Sequence, residues 1–188
     1  MERMLMIVDP QVDFVSGTLP VPGAEKAMAE LALYIKERGN DYSVIVITAD
    51  SHPYNHSSFR ECGGEWQRHC VSDSIGAAIY PDVFDAAYSS EGYTTVMHKG
   101  KYEMVEEYSI FQAPGATAII AGLLQKYRIN EIDICGLAGD VCVLSTLTDA
   151  VALFPDISIR VLTAFSPSLD GGARLAAFIT ENPSICAK

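Results

Sequence analysis

Two hydrophobic periods alternate along the chain. "MLMIV", residues 4–8, is an unbroken apolar run of strand length that stops at Asp9 and Pro10, the pattern of a strand buried on both faces. "AEKAMAELALYIKERGN", 24–40, then spaces Ala, Met, Leu and Ile at helical intervals, carries basic residues near its end and meets Gly39. "YSVIVITAD", 42–50, repeats the first pattern and again closes on an acid. A helical stretch near 82–88 leads into "YTTVMHKG", 93–100, a third strand that ends at a basic residue. "GATAIIAGLLQKYRIN" reads as a helix, "EIDICGLA" as a strand, "VCVLSTLTDAVALF" as a helix, "ISIRVLTAF" as a strand and "GGARLAAFIT" as the last helix. Residues 51–81 have no clear period and are rich in His, Cys, Gly, Ser and Pro, which predicts a long, functional loop.

Strands alternating with helices predict right-handed crossovers and a mostly parallel sheet covered on both faces, a three-layer α/β/α fold in one domain over 1–188. In such sheets ligands bind beyond the carboxyl ends of the strands. The first strand ends at Asp9, the second at Asp50, the third at Lys99, and the fourth at the loop before Cys142, so four reactive residues converge on one edge.

Composition narrows the ligand. A net charge of -11 over 188 residues argues against a nucleic-acid partner and favours a neutral or cationic small molecule. The apolar run in "MERMLMIVDP" is too short for a signal-peptide core or a membrane span, so no membrane association and a cytoplasmic location are expected. Five cysteines, an odd number, suggest reduced thiols.

Three of the strand-end residues suit nucleophilic chemistry. Cys142 follows Gly139 and Asp140 where a helix begins, near unpaired N–H groups and the positive end of a dipole, which predicts a lowered thiol pKa. Asp9 can take the thiol proton, and Lys99 can hold both anions in their charged forms. The N–H groups of Ala138 and Cys142 can receive an oxyanion, with the small residues of "LAGD" giving access to a carbonyl. A second group lies in "TADSHPYNHSSF", 48–59, and "WQRHC", 66–70. Asp50 and His52 sit two apart at a strand exit, where extended geometry points both side chains the same way, and His56 and His69 follow. One carboxylate with imidazoles suits Zn, Mn or Fe. His98, inside the third strand, is expected in the core.

"MIVDPQVDF", "TADSHPYNHSSF", "WQRHC", "HKG" and "GLAGDVCV" stand in order and in approximate spacing as in the nicotinamidase/pyrazinamidase group of the isochorismatase-like cysteine hydrolases. The chain resembles that family over about residues 4–165. The resemblance implies a six-stranded isochorismatase-like, Rossmann-like α/β fold and hydrolysis of nicotinamide, or pyrazinamide, through a cysteine thioester in NAD salvage. It implies Cys142 as nucleophile, Asp9 as proton carrier and Lys99 as third member, with a cis Leu137–Ala138 bond turning the Ala138 N–H to the oxyanion. It implies Asp50, His52 and His69 as ligands of one divalent metal, zinc first with manganese or iron as alternatives, and His56 as a fourth candidate. Phe14 and Trp66, the only tryptophan, become walls for the ring, with Leu137 beside them. Val12, Ser51 and Val141 depart from the family pattern and are expected to alter the pocket lining.

The alternative within this scaffold is another small amide: an N-carbamoyl compound, a ureido acid or a maleamate. Isochorismate is disfavoured, because that reaction needs no cysteine nucleophile. A non-catalytic ligand-binding module is disfavoured by the complete Asp9, Lys99 and Cys142 set. Family members occur as monomers and as larger assemblies, which leaves a homo-oligomer open.

Overall fold

The computed structural model describes residues 2–187. Its first strand, β1 (Arg3–Val8), sends Met4, Met6 and Val8 into one hydrophobic cluster and Leu5 and Ile7 into another, so its apolar run serves two buried faces. A single helical turn, α1 (Val12–Val15), precedes α2 (Ala24–Arg38), whose Ala27, Met28, Leu31 and Ile35 recur three and four residues apart on the buried side. The chain continues through β2 (Val44–Asp50), α3 (Pro81–Tyr88), β3 (Tyr93–Lys99), α4 (Ala116–Lys126), β4 (Glu131–Gly136), α5 (Leu144–Leu153), β5 (Ser158–Val161), α6 (Ala173–Glu181) and β6 (Cys186–Ala187).

All strand pairs are parallel, in the order β3-β2-β1-β4-β5-β6. The residues of α2 and α3 join the cluster of Leu5 and Ile7, while Ile120, Leu147 and Leu175 from α4, α5 and α6 join that of Met4 and Met6. The result is the expected three-layer α/β/α fold, with a sheet that is wholly parallel. Connections diverge between β1 and β4, which opens a crevice beyond their carboxyl ends. The two strands meet closely there: Gly136 has φ 125°, and a Cβ on it would collide with the Val8 carbonyl.

Two elements differ from the sequence expectation. The sixth strand is two exposed residues long, too short to show a period. His98 is exposed, because β3 is an edge strand paired only with β2 and its outer residues are incompletely covered. Residues 51–81 are a long loop as expected, with one short helical turn at Arg60–Cys62, and are pinned by the bridges His52–Val71 and Phe59–Trp66. Among the described residues no helix is long and apolar enough to cross a membrane.

Candidate active site

Strand register brings the first charges together. Asp50 on β2 pairs with Lys99 on β3, and parallel partners leave the sheet on the same face, so Lys99 Nζ stands 2.5 Å from Asp50 Oδ1. The same Nζ lies 2.9 Å from Oδ2 of Asp9, one residue past β1. Asp9 has a left-handed backbone, φ 47°, a conformation that costs a non-glycine residue on the order of 1–3 kcal/mol and is found chiefly where a site requires it. It is held by its N–H donating to the Thr48 carbonyl at 3.1 Å and by the Thr48 hydroxyl donating to Oδ1 at 2.7 Å. Oδ2 accepts no well-aligned hydrogen bond despite its nearness to Nζ, so it is the oxygen open to a further proton. Cys142 Sγ completes the group, 3.8 Å from Lys99 Nζ, with Sγ and one oxygen each of Asp9 and Asp50 all within 4.8 Å of one another.

Burial governs the charges. It pushes the Asp9 carboxyl up, and Lys99 only partly offsets this. Burial alone would also raise Asp50, but Lys99 and His52 outweigh it and hold Asp50 below the usual carboxylate range. Burial works against the Lys99 ammonium, yet Asp50 and Asp9 keep its pKa well above that of an ordinary lysine. The thiol of Cys142 is pushed well up, first by burial and then by Asp9 and Asp50, against the pull of Lys99. The sequence expectation of a lowered thiol pKa is therefore reversed: helix-end and lysine fields are outweighed by desolvation beside two carboxylates. The resting group is a thiol next to a carboxylate of raised basicity.

Cys142 lies in a π-helical turn, Gly139–Val143, that opens α5. The Leu137–Ala138 peptide before it is cis. Among the described residues no acceptor takes the N–H of Ala138, and both Ala138 and Cys142 line the cleft. The turn is fixed by Gly139 N–H donating to the Pro167 carbonyl at 2.8 Å and by Asp140, whose carboxylate accepts the Leu169 and Asp170 N–H groups at 2.9 and 3.1 Å. Leu137 differs from its expected place: its side chain is buried in the core cluster with Ile7 and Leu162 and is not part of the cleft wall.

A second group faces the first across Asp50. One ligand atom each from Asp50, His52 and His69 falls within 4.8 Å of the others, all three residues buried. Carbonyls fix both imidazoles: His52 Nδ1 donates to Gly100 O at 3.0 Å and His69 Nδ1 to Gln67 O at 2.7 Å, which leaves each Nε2 as a lone-pair donor. His52 Nε2 is buried without a hydrogen-bond partner, 3.6 Å from Asp50 Oδ2. Burial lowers the pKa of His69, which favours the neutral ring a metal takes. This donor set and its orphaned nitrogen fit a divalent ion.

His56 stands outside that set. Its ring stacks on His52 with centroids 4.2 Å apart, but Nε2 donates to the Val105 carbonyl at 3.0 Å and Nδ1 accepts from Ser58, 2.7 Å from its hydroxyl oxygen. Both nitrogens are used, and His56, the fourth candidate from the sequence, does not join the Asp50, His52 and His69 group.

Above these groups lies a cleft, open at its mouth, with about 410 Å³ of space free of protein atoms when the solvent at the mouth is included. Phe14 and Trp66 both line it, Phe14 with its ring 5.2 Å from that of His69. Of the three departures from the family pattern only Val141 reaches the cleft. Ser51 instead meets the hydroxyl of Ser72 at 3.0 Å, and the Val12 N–H donates to the Ala78 carbonyl at 3.0 Å.

Several site residues escaped the sequence reading. Tyr108, which accepts the Trp66 indole N–H at 3.1 Å, and Glu106 line the cleft from an aperiodic stretch. Gln11 is buried, with its amide nitrogen 2.8 Å from both the Asp50 and Ala77 carbonyls and its oxygen accepting the Asp50 N–H at 2.7 Å. Asp13 accepts the Cys70 N–H at 2.7 Å and so ties down the segment carrying His69. The available signal was "DPQVD", polar residues two and four positions past a strand-end acid.

The Isochorismatase domain model matches residues 3–162. A nicotinamidase/pyrazinamidase of Mycobacterium tuberculosis is 32% identical over 93% of this chain and 91% of its own, and a nicotinamidase of Escherichia coli is 31% identical over 80% and 77%. Among solved structures, the pyrazinamidase of Pyrococcus horikoshii in complex with zinc superposes with a TM-score of 0.85 at 30% identity, covering 100% of this chain and 99% of that one. The chain is thus an amidohydrolase and belongs to the isochorismatase domain family.

Proposed function

We propose that the chain hydrolyses nicotinamide, and pyrazinamide, to the acid and ammonia, with Cys142 as nucleophile and with one divalent metal in the site. The observation that carries this is the meeting of Cys142, Asp9 and Lys99 beside a cleft lined by Cys142 and by Asp50 and His69 of the Asp50, His52 and His69 group. The neighbours named as nicotinamidases, and the zinc complex of the Pyrococcus enzyme, support the substrate and the metal.

Phe14 and Trp66 take the two faces of the pyridine ring and exclude water from it. Asp9 Oδ2 receives the thiol proton as Sγ bonds to the carboxamide carbon, and the resulting oxyanion is held by the Ala138 and Cys142 N–H groups. Collapse breaks the C–N bond, and Asp9 returns its proton to the leaving nitrogen, which departs as ammonia. A water then attacks the thioester, giving a proton to Asp9 as the C–S bond breaks, and that proton restores the thiol. Lys99 stays an ammonium throughout, which keeps Asp9 oriented and stabilises the anion formed on sulfur. Asp50, His52 and His69 would hold the ion, which when bound supplies a Lewis acid that orients the ring nitrogen. This reading places the enzyme in NAD salvage.

The test is ammonia release from nicotinamide by purified protein, with chelator and then with Zn, Mn or Fe restored. Release that chelator removes and metal restores is expected. Intact metal binding without release from either nicotinamide or pyrazinamide would transfer the assignment to another small amide.

A further inference from the structure

The candidate ligands His52 and His69 lie apart in the chain, and the backbone of Cys70 joins them. Cys70 follows His69 directly, and its carbonyl accepts the His52 N–H at 3.0 Å. Its backbone is left-handed, φ 45°, which a residue other than glycine keeps only where its surroundings hold it.

What holds it is Asp13, a buried carboxylate with no part in the chemistry above. Oδ2 accepts the Cys70 N–H at 2.7 Å, and Oδ1 accepts the Thr18 N–H at 3.0 Å. Gly76 packs so closely here that a Cβ on it would collide with Oδ2, so the carboxylate has no room to turn away from Cys70. Asp13 is not one of the described residues that line the cleft, and its reach into the site runs through Cys70. We propose that Asp13 is a positioning residue for the metal: by holding Cys70 in its left-handed turn, it sets the spacing at which His52 and His69 can bind one ion. This rests on the metal reading above. Ligands spaced in advance lose less freedom on binding, so loosening the turn lowers affinity.

The experiment titrates metal-free protein with zinc, and with cobalt followed by its visible absorption, in wild type, Asp13→Asn and Ile120→Ala. Asparagine keeps the shape but brings an NH2 group where a carboxylate oxygen accepted, so one of the two N–H donors is stranded. Asp13→Asn is expected to bind zinc about tenfold or more weakly and to shift the cobalt spectrum. Ile120→Ala opens a cavity under α4, lowers stability and is expected to leave zinc affinity within about twofold. Glycine takes a left-handed backbone freely, so in a Cys70→Gly background the effect of Asp13→Asn is expected to shrink to about threefold or less. Hydrogen exchange gives a reading on the wild-type chain itself. Zinc should slow exchange of the Cys70 N–H more than that of the Ile120 N–H inside α4, because coupling between the ion and the Asp13 contact is reciprocal. Unchanged zinc affinity in Asp13→Asn, a loss matched by Ile120→Ala, an undiminished effect in the Cys70→Gly background, or equal slowing at both amides overturns the role of Asp13 and leaves the metal standing. Failure of the wild-type protein to bind either ion overturns the metal reading and this inference with it.

Discussion

Lys99 Nζ stands 2.9 Å from Asp9 Oδ2 and 2.5 Å from Asp50 Oδ1, so one buried ammonium joins the carboxylate beside the thiol to the carboxylate of the metal group. Replacing it with methionine strands two carboxylates in a buried site, and removing one partner of a buried pair costs about 3–5 kcal/mol. Lys99→Met is therefore expected to lose thermal stability, to bind metal less tightly and to fall below about 1% of wild-type ammonia release. Asp9 also loses the charge that lowers its pKa, so the acid limb of any residual rate should move to higher pH. Retained wild-type metal affinity in this variant would uncouple the two groups.

Cys142 is expected to be a thiol at rest. Because burial, Asp9 and Asp50 raise its pKa above the ordinary 9.0, alkylation by iodoacetamide should be slow at neutral pH and accelerate only in strong alkali. Cys62 and Cys186 are exposed and serve as internal references, which should label first. Peptide mapping after timed labelling reads the order, and preferential modification of Cys142 at neutral pH would restore the resting thiolate predicted from its place at a helix start.

Much of this site was legible because apolar runs stop where chemistry starts. Asp9 and Asp50 each follow such a run, Lys99 closes the third strand, and the parallel register of the strands sets Asp50 beside Lys99. The thiol pKa was not legible, since it depends on burial beside two carboxylates from distant strands. Glu106 and Tyr108 were hidden because their segment has no period, and a residue in an aperiodic loop is placed by tertiary contacts alone. His56 shows the opposite limit. Its spacing suggested a ligand, but Ser58 and the Val105 carbonyl claim both of its nitrogens.

Metal content separates the three histidines. His52→Ala and His69→Ala each remove a free Nε2 from the group and are expected to leave the purified protein with far less than one equivalent of metal. His56→Ala should retain near-stoichiometric metal and lose only the stability of its two hydrogen bonds, about 1–3 kcal/mol. Elemental analysis after exhaustive dialysis reads all three, and loss of metal from His56→Ala alone would reassign the site.

Gly100 offers a test through the backbone. It has φ 68°, and a Cβ there would run into the His52 ring, whose Nδ1 donates to the Gly100 carbonyl. Gly100→Ala is expected to displace His52, weaken metal binding about tenfold or more and lower activity in proportion. Excess metal should restore part of the rate, whereas a variant with unchanged metal affinity would show that His52 is not held by this contact.

Asp133 carries an acid-sensitive contribution away from the site. It is wholly buried, and its carboxylate accepts hydrogen bonds from Arg160 Nε at 2.5 Å, Arg160 Nη2 at 2.7 Å, Arg3 Nη2 at 2.5 Å and the Tyr42 hydroxyl at 2.6 Å. Burial alone would raise its pKa, but these partners outweigh it and hold the folded-state value below the ordinary 3.8. A carboxyl that binds its proton less readily when folded contributes stability that is complete above its unfolded pKa and is lost as pH falls through the folded value. Asp133→Asn removes that charge and leaves Arg3 and Arg160 with Glu131 as their one shared carboxylate, an expected loss of about 3 kcal/mol at neutral pH. Asp9 and Asp50 titrate in both proteins and cancel in the difference. Urea unfolding of wild type and variant should therefore show a gap that is widest near neutrality and narrows below about pH 4. A gap of the same size in acid would mean that Asp133 supports the fold through shape and hydrogen bonding alone, without its charge.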